Sequence, residues 1–197
     1  MIITTAMLLE RLRDFASPAN KIRRMAANGE IIPIKKGLYE TNAYAPGCCM
    51  APVIYAPSYL SFEYALSRHG LIPEAVHVYT SATCAKRKTK NYSCHFGTFS
   101  YRDIPVKAFP YGVSIIEENG YAYRIASPEK ALCDKLYSIA PAGSIRALRN
   151  ILFDDLRIYW SYPKVRPEFK LGLADKSLLL NCSGVNPFSP FCGLLRL

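Results

Sequence analysis

The chain has 197 residues, half of them apolar, and its Lys and Arg outnumber Asp and Glu by 25 to 15. That composition excludes an intrinsically disordered chain and allows a buried core, while the formal charge of +10 favours a polyanionic partner, nucleic acid before an anionic membrane surface. No apolar run nears the roughly 20 residues of a bilayer span, and the opening MIITTAMLLERLRDF lacks the basic start and small-residue cleavage site of an export signal.

Ala6 to Phe15 spaces Met7, Leu8, Leu12 and Phe15 for one helical face, which is expected to pack on Ile22, Met25 and Ile32. The stretch from Ser17 to Tyr39 organises the rest of this end. Ser17 is the N-cap, Pro18 suits the first helical position, and Asn28-Gly29 supplies the stop. Ala19, Ile22, Met25 and Ala26 share one face; Asn20, Arg23, Arg24 and Ala27 share the other, with Lys21 and Asn28 at its edge. A hairpin follows at once: Ile32 and Ile34 alternate with Pro33, Lys35-Lys36-Gly37 makes the turn, and Leu38-Tyr39 starts the return strand. A basic helix joined to a basic hairpin suits a winged helix-turn-helix. Asn20, Lys21, Arg23 and Arg24 would then face DNA from the helix, and Lys35 and Lys36 would meet phosphate from the wing. The plain alternative is an amphipathic surface helix and hairpin with solvated charges.

Thr41 to Pro57 has three prolines, a glycine and no period, and reads as a linker over 42–57. Beyond it, Ser58 to His69 is expected to be a helix capped by Ser58 or Ser61 and ended by Gly70. Val76 to Thr83, Cys94 to Tyr101 and Val106 to Phe109 read as strands, and Val113–Glu118 with Tyr121–Ile125 as a hairpin. Between the first two strands lie Lys86, Arg87, Lys88 and Lys90, a candidate second phosphate contact or simply a solvated loop. Ser127-Pro128-Glu129-Lys130 opens a helix to about Ala140, and Ser144 to Phe153 makes another. From 159 onward the tail is aromatic and proline-bearing, without a helical period. The expectation is an α+β protein: winged helix over 1–41, linker over 42–57, mixed α/β domain over 58–158, and an atypical tail over 159–197.

Seven cysteines without an export signal point to reduced thiols and a cytoplasmic location. No Cys-x-x-Cys pair occurs, and Cys84, Cys94 and His95 match no zinc module, so neither a metal nor a cofactor is expected. An enzymatic alternative would gather Glu63, Asp103, Glu129, Lys130 and Asp134 into a metal-dependent nuclease site. The plainer reading makes Glu129 a first-turn helix charge and Asp103 a loop residue, with no catalytic residues. A second alternative is a protein-interaction module that does not bind DNA.

Three blocks, KIRRMAANGEIIPIKKGLY (21–39), SYLSFEYALSRHGLIPEAV (58–76) and YRIASPEKALCDKLY (123–137), with FGTFSYRDIP (96–105) between the last two, carry a likeness to a known family. In that order and spacing the chain resembles the AbiEi-type antitoxins, the transcriptional regulators of type IV toxin–antitoxin systems in bacterial phage-defence loci. The resemblance implies a winged helix followed by an α/β domain and autoregulation through operator DNA. It further implies neutralisation of a nucleotidyltransferase-type toxin without a stable complex, and no membrane partner.

Overall fold

The computed structural model describes residues 1–139 and 142–158; the expected tail over 159–197, with Cys182 and Cys192, lies outside the described residues. Five elements make up the N-terminal part: β1 (Ile2–Thr4), α1 (Thr5–Arg11), α2 (Pro18–Ala27), β2 (Ile32–Lys35) and β3 (Leu38–Glu40). The strands form an antiparallel sheet in the order β1-β3-β2. Local chemistry sets the boundaries. Thr4 Oγ1 accepts from the Met7 N–H at 3.2 Å to start α1, and Pro18 occupies the first position of α2. Gly29 (φ 75°) ends α2 and Gly37 (φ 81°) turns the hairpin, both in the left-handed region that favours glycine.

A small core of Ile3, Leu8, Ile22 and Ile31, flanked by Leu12, Met25, Ala26 and Tyr39, lies beneath the two helices. Four expected members differ. Ile31 takes the place of Ile32, because β2 begins at Ile32 and its alternation turns Ile32 and Ile34 toward the larger core instead. Met7 and Phe15 are exposed, Phe15 because α1 ends at Arg11 and the helical period no longer applies to it. Ala19 is exposed as well.

The larger part contains α3 (Gly47–Ile54), β4 (Ser58–Leu60), α4 (Phe62–Arg68), β5 (Val78–Cys84), β6 (Lys90–Cys94) and β7 (Gly97–Ile104). After these come β8 (Val113–Glu118), β9 (Tyr121–Ala126), α5 (Pro128–Ser138) and α6 (Ile145–Asn150), which runs into a π-helical turn at Ile151–Asp155. Six strands form one mixed sheet in the order β6-β7-β5-β4-β9-β8, parallel at β5/β7 and β4/β9 and antiparallel elsewhere. Neighbouring residues of β7 point to opposite faces: Tyr101 reaches α3, donating to the Ala51 carbonyl at 2.8 Å, while Arg102 reaches Glu63 on α4. So α3 covers one face and α4 with α5 the other. The β8/β9 hairpin turns on Asn119 (φ 53°) and Gly120 (φ 77°), a two-residue loop that both φ signs mark as type I′.

The expected linker over 42–57 is corrected by α3. Ala45, Cys48, Cys49, Met50, Ala51 and Ile54 all join the large core. Its proline and glycine have packing roles. Pro46 is the N-cap, and a side chain at Gly47 would meet the Tyr79 ring at 2.4 Å. Ser58–His69 divides into β4 and α4, with Ser61 between them and Phe62 turned sharply at φ 53°. Cys94–Tyr101 is two antiparallel strands that reverse at His95-Phe96, and Val106–Phe109 is a turn instead of a strand. Ile22 and Met25 belong to the small cluster, whereas Leu132 and Leu136 belong to the large one.

An ion triad ties the helices to the sheet: Glu63 Oε1 accepts from Lys135 Nζ at 2.6 Å and from Arg102 at 2.9 Å. Burial pushes the Glu63 carboxyl up, but these two cations hold it net below its ordinary value of 4.5. A depressed carboxylate stabilises the fold above the unfolded value, and that stabilisation is lost as pH falls through the folded one. Glu63→Gln should therefore cost about 1–2 kcal/mol at neutral pH, between the exposed and buried cases. It should also flatten the acid limb, as urea midpoints followed from neutral to acid pH would show.

Candidate nucleic-acid interface

Asn20, Arg23, Arg24 and Ala27 are exposed along one side of α2, opposite Ile22, whose burial fixes the rotation of the helix. Three of the expected base-reading or phosphate-binding side chains thus share one solvent face. Lys21 is half-buried at its edge, its ammonium 5.8 Å from the Phe15 ring centroid. This pairing gives the otherwise exposed Phe15 a partner.

The two hairpin lysines differ. Lys36 is exposed at the tip, next to Gly37. Lys35 is half-buried, and its Nζ donates to the carbonyls of Val53 at 2.7 Å and Ile54 at 3.0 Å, at the C-terminal end of α3. An ammonium there satisfies carbonyls that have no partner within the helix and meets the negative end of its dipole. Lys35 is thus a tether for the hairpin, and only Lys36 remains as a free tip charge. Lys35→Met should lower stability by about 1.5 kcal/mol, the value of a charged hydrogen bond. Lys36→Ala should leave the thermal midpoint where it is, and thermal unfolding of both variants distinguishes the roles.

Two further contacts seat the small sheet on the large one. The Tyr92 hydroxyl of β6 donates to the Ile34 carbonyl at 2.8 Å, and the Tyr121 hydroxyl of β9 donates to Glu40 at 3.2 Å. Glu40 is fully buried and accepts from the Thr41 and Asn42 N–H groups as well. Burial raises its carboxyl, and the N-terminal ammonium and these donors bring it net below the ordinary carboxylate range. None of these ties has a sequence signal, since a tyrosine in a strand looks the same whether or not its hydroxyl bridges two sheets.

Lys86, Arg87, Lys88 and Lys90 lie on and beside the turn between β5 and β6. Asp103 anchors that turn, accepting from the Lys86 N–H at 3.2 Å and the Arg87 N–H at 2.8 Å. Arg87 and Lys88 are exposed, whereas the ammonium groups of Lys86 and Lys90 lie 5.3 Å and 4.6 Å from the Tyr55 ring centroid.

Of the five residues of the nuclease alternative, Lys130 and Asp134 pair at 2.8 Å, while Glu63 and Asp103 are held by other partners, Glu63 by Arg102 and Lys135 and Asp103 by the β5–β6 turn. Among the described residues no group of three or more His, Cys, Asp or Glu side chains could hold a metal ion. Among the described cysteines, Cys48, Cys49, Cys84 and Cys94 are free thiols, with Cys48 and Cys49 buried in α3. Among the described residues no helix is long and apolar enough to cross a membrane. Neither any protein-family model nor any curated protein matches the chain.

Proposed function

We propose that the protein is a DNA-binding transcriptional autoregulator whose N-terminal part acts as a minimal winged helix-turn-helix, with α2 as its recognition helix. The observation that carries this reading is the single exposed face of Asn20, Arg23 and Arg24 on a helix set rigidly by Ile22 and followed at once by a hairpin tipped with Lys36. The order β1-α1-α2-β2-β3 places two helices before a two-stranded wing, the layout in which the second helix enters the major groove. Arginine suits guanine O6 and N7, asparagine suits adenine, and a tip lysine suits phosphate. The net charge of +10 supports a polyanionic partner.

The likeness of the three sequence blocks to AbiEi-type antitoxins extends the proposal: the part from 58 onward counters a nucleotidyltransferase-type toxin encoded beside it, in the cytoplasm and with no enzymatic step of its own. A gel shift of the full chain on its own upstream DNA, against scrambled duplex, tests the regulator reading. Specific retardation that weakens with salt is the expected result; no retardation at low salt would end it. Growth rescue on co-expression with the adjacent toxin gene tests the antitoxin reading, and pull-down does not, since no stable complex is expected.

A further inference from the structure

Three lysines from two chain segments, the hairpin and the β5–β6 turn, meet at the C-terminal end of α3. Lys35 binds the carbonyls of Val53 and Ile54, and the ammonium groups of Lys86 and Lys90 both lie within 5.3 Å of the centroid of the next residue's ring, Tyr55. Lys36 continues this group toward the hairpin tip, and Arg87 with Lys88 continue it outward along the exposed turn. The track is held rigidly. Tyr55 packs edge-on against the buried Tyr101 at 5.3 Å, Asp103 fixes the turn through two backbone N–H groups, and Tyr92 fastens β6 to Ile34 in the wing.

Among the described residues, the groups that hold this cluster do not balance its charge. The end of a helix supplies about half a negative charge, and Asp103 supplies one carboxylate, against the six cations Lys35, Lys36, Lys86, Arg87, Lys88 and Lys90. Lys86 and Lys90 around one ring repel each other, and a bound anion would relieve that repulsion. A surface of this form fits an extended polyanion better than a single small anion, because exposed cations continue beyond the α3 end on both sides, Lys36 at the hairpin tip and Arg87 with Lys88 on the turn.

We propose that the Lys86–Lys90 turn is a second phosphate-contacting element, which continues the wing's track and grips the same DNA duplex beyond the segment that α2 reads. This rests on the DNA-binding reading above and adds to it that the large α/β part contributes affinity without sequence information. It also gives the Lys35 tether a function. By locking the wing onto α3 it fixes the spacing between the tip and the turn.

The test uses the full chain and the exposed pair, Arg87→Gln/Lys88→Gln, with Lys88→Glu as a second variant; both positions lie outside the core, and unfolding midpoints confirm the fold. Binding is measured on a long duplex carrying the upstream region, on one trimmed to the shortest length still bound specifically, on single-stranded RNA, and on anionic lipid vesicles. On the long duplex the double variant should reduce the salt slope by about two units. From about 50 to 200 mM salt the wild type should then lose about tenfold more affinity than the variant. The ratio of operator to scrambled binding should stay at the wild-type value, and the two proteins should converge on the trimmed duplex. An unchanged slope on the long duplex, with Arg24→Ala still losing discrimination, would overturn the second contact and leave the recognition helix standing. Loss on RNA or vesicles alone would assign the track to another polyanion and overturn the proposal. A wild type that retains no duplex at low salt removes the DNA reading and this inference with it.

Discussion

Lys130→Met should destabilise the protein by about 3–5 kcal/mol at neutral pH, the usual cost of leaving one member of a buried ion pair behind. Lys130 and Asp134 are 3% exposed each, and Lys130 Nζ lies 2.8 Å from Asp134 Oδ1. The other carboxylate oxygen accepts from the Ser61 hydroxyl at 2.7 Å and the Tyr59 hydroxyl at 3.0 Å. These four side chains join α5 to β4 through the middle of the large core. Burial raises the Asp134 carboxyl above its ordinary value even though Lys130 and the two hydroxyls oppose it. A raised folded value means that its stabilising contribution is fully present below the unfolded pKa and declines as pH rises through the folded one. Removing the ammonium raises the carboxyl further, so the penalty of Lys130→Met should shrink as the solution is acidified and Asp134 takes a proton. Asp134→Asn should show no such relief, since it removes the carboxyl that takes up the proton. Chemical denaturation of both variants across the acid range reads the contrast. Equal penalties at every pH would show that the pair does not titrate as an ion pair.

Such a network explains why parts of this fold are legible in the sequence and others are not. Ser127-Pro128-Glu129 announces α5 because capping is local: the Ser127 hydroxyl accepts from the Lys130 N–H three residues on. Asn119-Gly120 announces the β8/β9 turn for the same reason. Ser61 occupies the N-cap position of α4 yet uses its hydroxyl on Asp134, 73 residues away, and the helix starts three residues later than a cap at Ser58 would place it. Pro46, Gly47 and Pro52 look like a linker because composition reports conformational freedom, while Gly47 is there for the Tyr79 ring. β1 has no sequence signal: three residues are too few to show a period, and pairing with β3 alone defines them. The candidate interface divides in the same way. The amphipathic face of α2 carries Asn20, Arg23 and Arg24 outward as its spacing implies, but nothing in Lys35-Lys36 tells the tether from the free tip charge.

Arg24→Ala should weaken operator binding by about 1–3 kcal/mol and relax preference at one operator position, because a bidentate guanidinium–guanine pair is the kind of contact that discriminates bases. Lys36→Ala should behave differently. It lies at the exposed hairpin tip, where on the proposed reading an ammonium would meet phosphate, so its loss should weaken operator and scrambled duplex alike and flatten the salt slope by about one unit. Neither change reaches a core. Arg24 is exposed on α2, opposite the buried Ile22, so loss of binding with an unchanged unfolding midpoint would come from the interface alone. Asn20 lies one helical turn before Arg24 on the same face, and Asn20→Ala should relax preference at a neighbouring adenine-bearing position and spare the one that Arg24 reads. Quantitative gel shifts on operator and scrambled duplexes at several salt concentrations separate these effects. If Arg24→Ala loses equally on both duplexes, α2 contacts backbone and does not read bases, and the specificity of the protein must come from DNA shape or from another element.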